Sequence, residues 1–317
     1  MYMLLLIASG APVVAGIGLV GGALLARLDS ARHHAVVLGG DWAAVARSDR
    51  TRAKWAATVA LAGWLLPIAL GAATLGLFEW WPDTLPLAAG IIAVAVAAIA
   101  TRSERAHRHG ALPVVDFRRR SAFSIAAPSA ISGAATAFIA VVVTVVAAGV
   151  VSSPDELGRY TEFTMAVGDG TAGTLFFGWY FGVPVLIGAV VLVALTWAGL
   201  ARVARPPLVA DERSGDEWLR RQRASDLLRI ATAALCVTLG SSWTMIAGAS
   251  QLRTSLRGTE AGTIEFGTSF AAVGSVLGPA ALLVTGVGVA LLVAILLRRR
   301  PRQRQDRIEH EAAAARA

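Results

Sequence analysis

Seven apolar runs, at roughly 3–26, 55–78, 85–101, 129–151, 173–201, 230–250 and 267–297, leave every charged side chain of this sequence in the segments between or beyond them. Each run is near or above the ~20 residues with which an α-helix crosses the hydrocarbon core of a bilayer. Backbone amides have no water to bond there, so a spanning segment must be a helix or part of a closed barrel. The expected fold class is an all-α polytopic membrane protein of about seven transmembrane helices. The seven runs and their connections make one transmembrane domain over 1–301, and 302–317 is a basic, Ala-rich tail. Composition agrees, because 56% hydrophobic and 16% charged residues over a 317-residue chain give more apolar surface than one soluble core would need.

The basic residues orient the model. Segments 27–54, 102–120, 202–229 and 298–316 hold six, six, seven and seven Lys and Arg, whereas the alternate segments hold Arg159, Arg253 and Arg257. The positive-inside rule therefore predicts an N-terminus outside, a C-terminus in the cytoplasm, and an integral protein of the cytoplasmic membrane. The stretch MYMLLLIASGAPVV has no basic residue ahead of its apolar run, as expected of an N-out first helix rather than a cleaved signal peptide. Eight acids fall outside on this scheme, among them Glu79 and Asp83. A charge of +8 could suggest nucleic acid, but the bases are divided among short loops, so no nucleic-acid partner is expected. A single lysine and no asparagine fit GC-rich codon usage, so the preference for arginine carries no functional message.

Aromatic residues mark the interfaces, with Trp80, Trp81 and the stretch Phe176 to Phe181 at the outer level, and Trp55 and Trp197 at the inner one. Gly18 and Gly22, Gly178 and Gly182, and Gly274 and Gly278 are spaced to share a helix face, where they permit close packing within the bundle. Outside, TEFTMAV (161–167) and TIEF (263–266) alternate apolar and polar residues and are expected to form a short extracytoplasmic β-pair. Inside, the segment 202–229 carries Trp218, Leu219, Leu227 and Leu228 near helical spacing among charges. It reads as an amphipathic helix on the anionic inner leaflet, or as the docking element for a cytoplasmic or membrane protein partner. Spans one to three and five to seven also share a proline-bearing first helix and an acidic–Trp step in the following loop (Asp41, Trp42; Asp216, Glu217, Trp218), as a parallel repeat would.

Motifs that carry chemistry are missing. Cys236 is the one cysteine, and His33, His34, His107, His109 and His310 all lie outside the spans, so no haem within the bundle and no metal site is expected. Lys54 at the edge of the second span cannot serve as a retinal Schiff base. Ser241, Ser242 and Ser275 lack a G-x-S-x-G elbow, and there is no phosphate-binding G-x-x-x-x-G-K-[ST] loop. The expected function is a non-enzymatic sensing, scaffolding or regulatory component of the membrane, with no cofactor. One alternative is a permease or channel lined by Thr136, Thr144, Ser241, Ser242, Thr244 and Thr285; another is a lipid-active interfacial enzyme using carboxylates such as Asp41, Asp211 and Asp216. The outer face suggests one ligand site, for a cationic or amphipathic compound, built from Glu162, Asp169, Trp179 and Tyr180.

FGWYFGVPVLIG (177–188), followed by a basic loop with DEWLRRQRASDLLR (216–229), resembles uncharacterised multi-pass membrane proteins of GC-rich actinobacteria. The resemblance implies a membrane location and no particular activity.

Overall fold

A computed structural model of the chain describes residues 2–33, 40–73, 81–99, 113–114, 122–167, 170–204, 208–209, 213–258 and 262–298. Each apolar run lies wholly or largely within one long helix. These are α1 (Tyr2–His33), α2 (Gly40–Ala73), α3 (Trp81–Ala98), α5 (Pro128–Val151), α6 (Trp179–Ala204), α7 (Arg213–Ser250) and α8 (Ala271–Leu297), with a short α4 (Ala122–Ile125) before Pro128. Five of them, α1, α5, α6, α7 and α8, are long and apolar enough to cross a membrane. Their outer surfaces are apolar too: Val20 on α1, Ile139 and Val150 on α5, Ile187 on α6 and Val276 on α8 are all more than half exposed. In water such faces would aggregate, whereas in a bilayer they meet lipid tails. The protein is a helical integral membrane protein.

Two helices overrun their apolar runs. In α2 the helix starts at Gly40 instead of near residue 55, and in α7 it starts at Arg213 instead of near 230. The reason is local: DEWLRRQRASDLLRIATAALCV has no Gly or Pro to stop a helix between its charged and its apolar part. The resulting α7 has 38 residues, a rod of roughly 57 Å at 1.5 Å per residue. It is the central helix, packed against α2, α3, α5, α6 and α8.

The strands sit at one end of the bundle. Ser153–Pro154 (β2), Tyr160–Val167 (β3) and Gly170–Leu175 (β4) form an antiparallel sheet in the order β2-β3-β4, with Val167 opposite Gly170. Arg253–Gly258 (β6) pairs with Gly262–Gly267 (β7) between α7 and α8. Both stretches expected to be strands are strands, but they do not pair with each other. Each folds back on its own neighbour in sequence, which requires closing only a short loop. Phe163, Phe176 and Phe270 join the two hairpin regions, with Phe163 edge-on to Phe270 at 4.7 Å between centroids. A two-residue pairing of Pro113–Val114 (β1) with Leu208–Val209 (β5) ties the connections near the other end.

Close packing follows the small residues. A methyl group on Gly18 or Gly22 would run into Val289 or Val293, so α1 and α8 approach through that face. Gly182 meets Val145 of α5 and Gly274 meets Ser250 of α7, placing all three glycine pairs inside this one chain.

Candidate functional site

The charged start of α7 packs against the charged start of α2. Leu219 is buried against Ala43, Val45 and Ala46 of α2, with Trp218 beside them, so the two helical overruns pack on each other beyond the apolar part of the bundle. Between them lies a layer of buried ion pairs. Arg220 is held by Asp216 through Nε at 3.1 Å and Nη2 at 2.8 Å, and its Nη1 donates to the carbonyls of Val203 and Ala204, capping the end of α6. Arg223 donates to Asp49 of α2, which also accepts from Arg52 at 2.7 Å. Arg229 reaches Asp29 at the end of α1 through both Nη atoms, at 2.5 and 3.0 Å. Arg298, just past α8, pairs with Asp226 at 2.7 Å. Burial works to lower the Arg298 pKa, but the charge and hydrogen bonds of Asp226, with Asp29 nearby, outweigh it and raise it.

Residues 216, 220, 223, 226 and 229 are three or four apart, so successive turns of α7 offer a charge to α6, α2, α8 and α1 in turn. Of the groups gathered at this junction of five helices, Asp49, Asp216, Asp226, Arg220 and Arg223 are buried, and Asp29, Arg52, Arg229 and Arg298 are half-buried. Such a layer fixes the relative position of the helices more than it adds net stability, because desolvation offsets much of the attraction. Sequence reasoning missed it, reading this segment as an amphipathic helix on the inner leaflet or as a docking element for a partner. The available signal was the distribution of apolar residues: Trp218, Leu219, Ala224, Leu227 and Leu228 lie on several faces of the helix, which a leaflet-bound helix with one polar face would not show.

A second feature concerns Asp83, which stands two residues before the third apolar run. It is not solvated: its side chain is 1% exposed, in the first turn of α3, and accepts a 2.5 Å hydrogen bond from Ser241 Oγ of α7. Ser241 stands nine residues before the end of α7, so the contact lies roughly 13 Å inside the tip of that helix. The remaining candidate path residues turn elsewhere. Ser242, Thr244 and Thr285 donate to the carbonyls of Thr238, Gly240 and Ala281 in their own helices. Thr144 accepts from Trp243 Nε1 at 3.0 Å, and Thr136 is exposed on α5.

At the strand end the four residues proposed for a ligand face different neighbours. The Glu162 carboxylate lies over Gly173 of the facing strand, where a side chain would stand, Trp179 covers Gly149 of α5, and Tyr180 has the Arg159 guanidinium 5.2 Å above its ring and Phe181 at its edge. Asp169 lies outside the described residues. The cation over Tyr180 is thus supplied by the protein itself. Arg159 is in turn fixed by Asp155, which accepts from Arg159 Nε and N, Leu157 N and Thr161 Oγ1. Against a desolvation that works to raise it, those hydrogen bonds hold the Asp155 carboxyl below the ordinary range.

Of the carboxylates considered for interfacial catalysis, Asp216 is fully buried against Arg220, Asp211 lies outside the described residues, and nothing is described of the Asp41 side chain. The histidines likewise contribute no described side chain, and among the described residues no three His, Cys, Asp or Glu side chains gather as metal ligands. No family model, curated protein or solved structure matches the chain.

Proposed function

We propose that this chain is a non-enzymatic sensing or regulatory component of the cytoplasmic membrane, crossing it seven times with the strand end outside and the ion-paired end in the cytoplasm. The observation that carries this reading is α7, one uninterrupted helix that begins among the buried ion pairs and ends two residues before β6. A displacement of the hairpin at one end would have to be carried by a rigid rod into the charge layer at the other. The large excess of arginine at that layer's end supports the orientation. Glu217 and Arg221, paired and exposed on the outer side of α7, offer a cytoplasmic partner a polar face within 202–229. The resemblance to uncharacterised actinobacterial membrane proteins is compatible with this role and narrows it no further.

Hydrogen–deuterium exchange on the reconstituted protein tests the coupling. In Asp49→Asn, exchange should rise in 213–229 and change again in 245–258. A rise confined to 213–229 would mean that α7 transmits nothing. Orientation has its own check: a reporter fused after Ala317 should read cytoplasm and one inserted at Gly168 should read outside.

The permease reading draws support from Asp83, a buried carboxyl in the bundle. It competes with the hydroxyls of Ser242, Thr244 and Thr285, which are spent on their own helices. Solute flux into vesicles, absent from empty ones, would favour it.

A further inference from the structure

We propose that Asp83, with Ser241, forms a proton-binding site inside the bundle, whose occupant exchanges with the strand end. The reading is independent of what α7 transmits.

The geometry argues for it in three steps. First, the site is remote from any described counter-charge. The helices packed against α3 are α2, α6 and α7. In α2 the nearest charge in sequence to its apolar half is Lys54, at the opposite end. In α6 the titratable residues are Tyr180, covered by Arg159, and Arg202 at the far end. In α7 between Ile230 and Ser250 there is only Cys236, and α3 has no other ionisable side chain after Asp83. Glu79 lies outside the described residues. An acidic group buried in apolar surroundings, with no cation near it among the described residues of the helices packed on it, has to hold a proton or capture a positive ion, since an isolated buried carboxylate is costly.

Second, the contact leaves room for the smaller of these. The Asp83 and Ser241 oxygens are 2.5 Å apart, which is direct O–H···O contact. A metal ion coordinated between them would hold them farther apart, because each metal–oxygen distance would itself be about 2.0 Å or more.

Third, a second hydroxyl waits unused one turn deeper on α7. Thr238 is fully buried and its Oγ1 has no hydrogen-bond partner, although Ser242, Thr244 and Thr285 nearby all bond their own helix backbones. Thr238 and Ser241 are three apart and therefore neighbours on the helix surface. A hydroxyl can both donate and accept, so Ser241 can reorient as the carboxyl gains or loses its proton, with the unpartnered Thr238 hydroxyl on the same helix surface. When Asp83 is protonated, its O–H can be given to Ser241; when the proton leaves to water at the strand end, the Ser241 hydroxyl can turn toward the carboxylate.

Infrared spectroscopy of the full chain in vesicles of neutral lipid reads the proton directly. The wild type should show a carboxylic-acid C=O band that disappears as pH is raised. That band should be absent from Asp83→Asn, kept in Asp49→Asn, and shifted in frequency in Ser241→Ala, which removes one hydrogen bond and keeps the carboxyl. Should Asp83→Asn fail to fold, the Ser241→Ala shift carries the assignment alone. A spectrum in which no acid band responds to pH or to either substitution overturns the proposal. So does a band seen in choline buffer and abolished by sodium, because the site would then hold a metal cation.

Discussion

The two ends of α7 treat buried acid in opposite ways. At its start, Asp49, Asp216, Asp226 and Asp29 each face a guanidinium group. Nearer its end, Asp83 faces a hydroxyl. Both arrangements occur in a chain whose acids looked equivalent in sequence. The difference teaches that burial is tolerated by two routes: a fixed opposite charge, which locks geometry, or a single hydrogen bond, which leaves the group free to change its protonation.

Removing one partner from each region should separate the routes. The largest loss belongs to Asp49→Ala, which removes a carboxylate from the buried Arg223 and from Arg52. It should destabilise the protein by about 3–5 kcal/mol, read from unfolding in mild detergent. A loss below about 1 kcal/mol would show that water enters the layer freely. Asp83→Asn keeps a polar partner for Ser241 and should change stability by no more than about 1 kcal/mol. If it proved as damaging as Asp49→Ala, the contrast between the two ends would collapse.

A middle effect is expected for Asp216→Asn. It loosens Arg220 from the end of α6 at a cost of about 1–3 kcal/mol, with faster amide exchange over 200–204 than in the wild type. Unchanged exchange there would mean that the carbonyls of Val203 and Ala204 do not depend on Arg220.

The smallest effect concerns Asp155, and it sharpens the comparison because this acid has its partners near the surface. Its pKa is lower in the fold than in the unfolded chain. Its contribution is therefore present above the ordinary carboxylate range and is lost as pH falls through the depressed folded value. Amide exchange at Leu157 and Arg159 should accelerate only in strong acid, and Asp155→Asn should remove much of that acid dependence. An exchange profile that breaks near neutral pH instead would point to another group.

Much of the architecture was legible in the sequence because a bilayer is a severe solvent: it demands apolar runs of a given length and excludes unpaired charge, and both leave marks in a one-dimensional string. The seven runs, the alternation of charge that orders them, the strands at 161–167 and 263–266 and the glycine faces of α1 and α8 follow from that demand or from local periodicity. What the strands paired with did not, since alternation marks a strand without naming its neighbour. The reach of α2 and α7 beyond the apolar runs was open to inspection, because no breaker interrupts DEWLRRQRASDLLR, yet its burial was not. Whether Arg223 meets water or Asp49 depends on a contact 174 positions away in sequence. Asp83 makes the same point in reverse. Its place just before an apolar run suited a solvated helix start, and it became a buried group only because α3 begins well inside the tip of α7. Local sequence determined which segments are helices and which faces are apolar; the relative heights of those helices, set by packing among distant segments, decided which charges were drawn inside and what each of them met there.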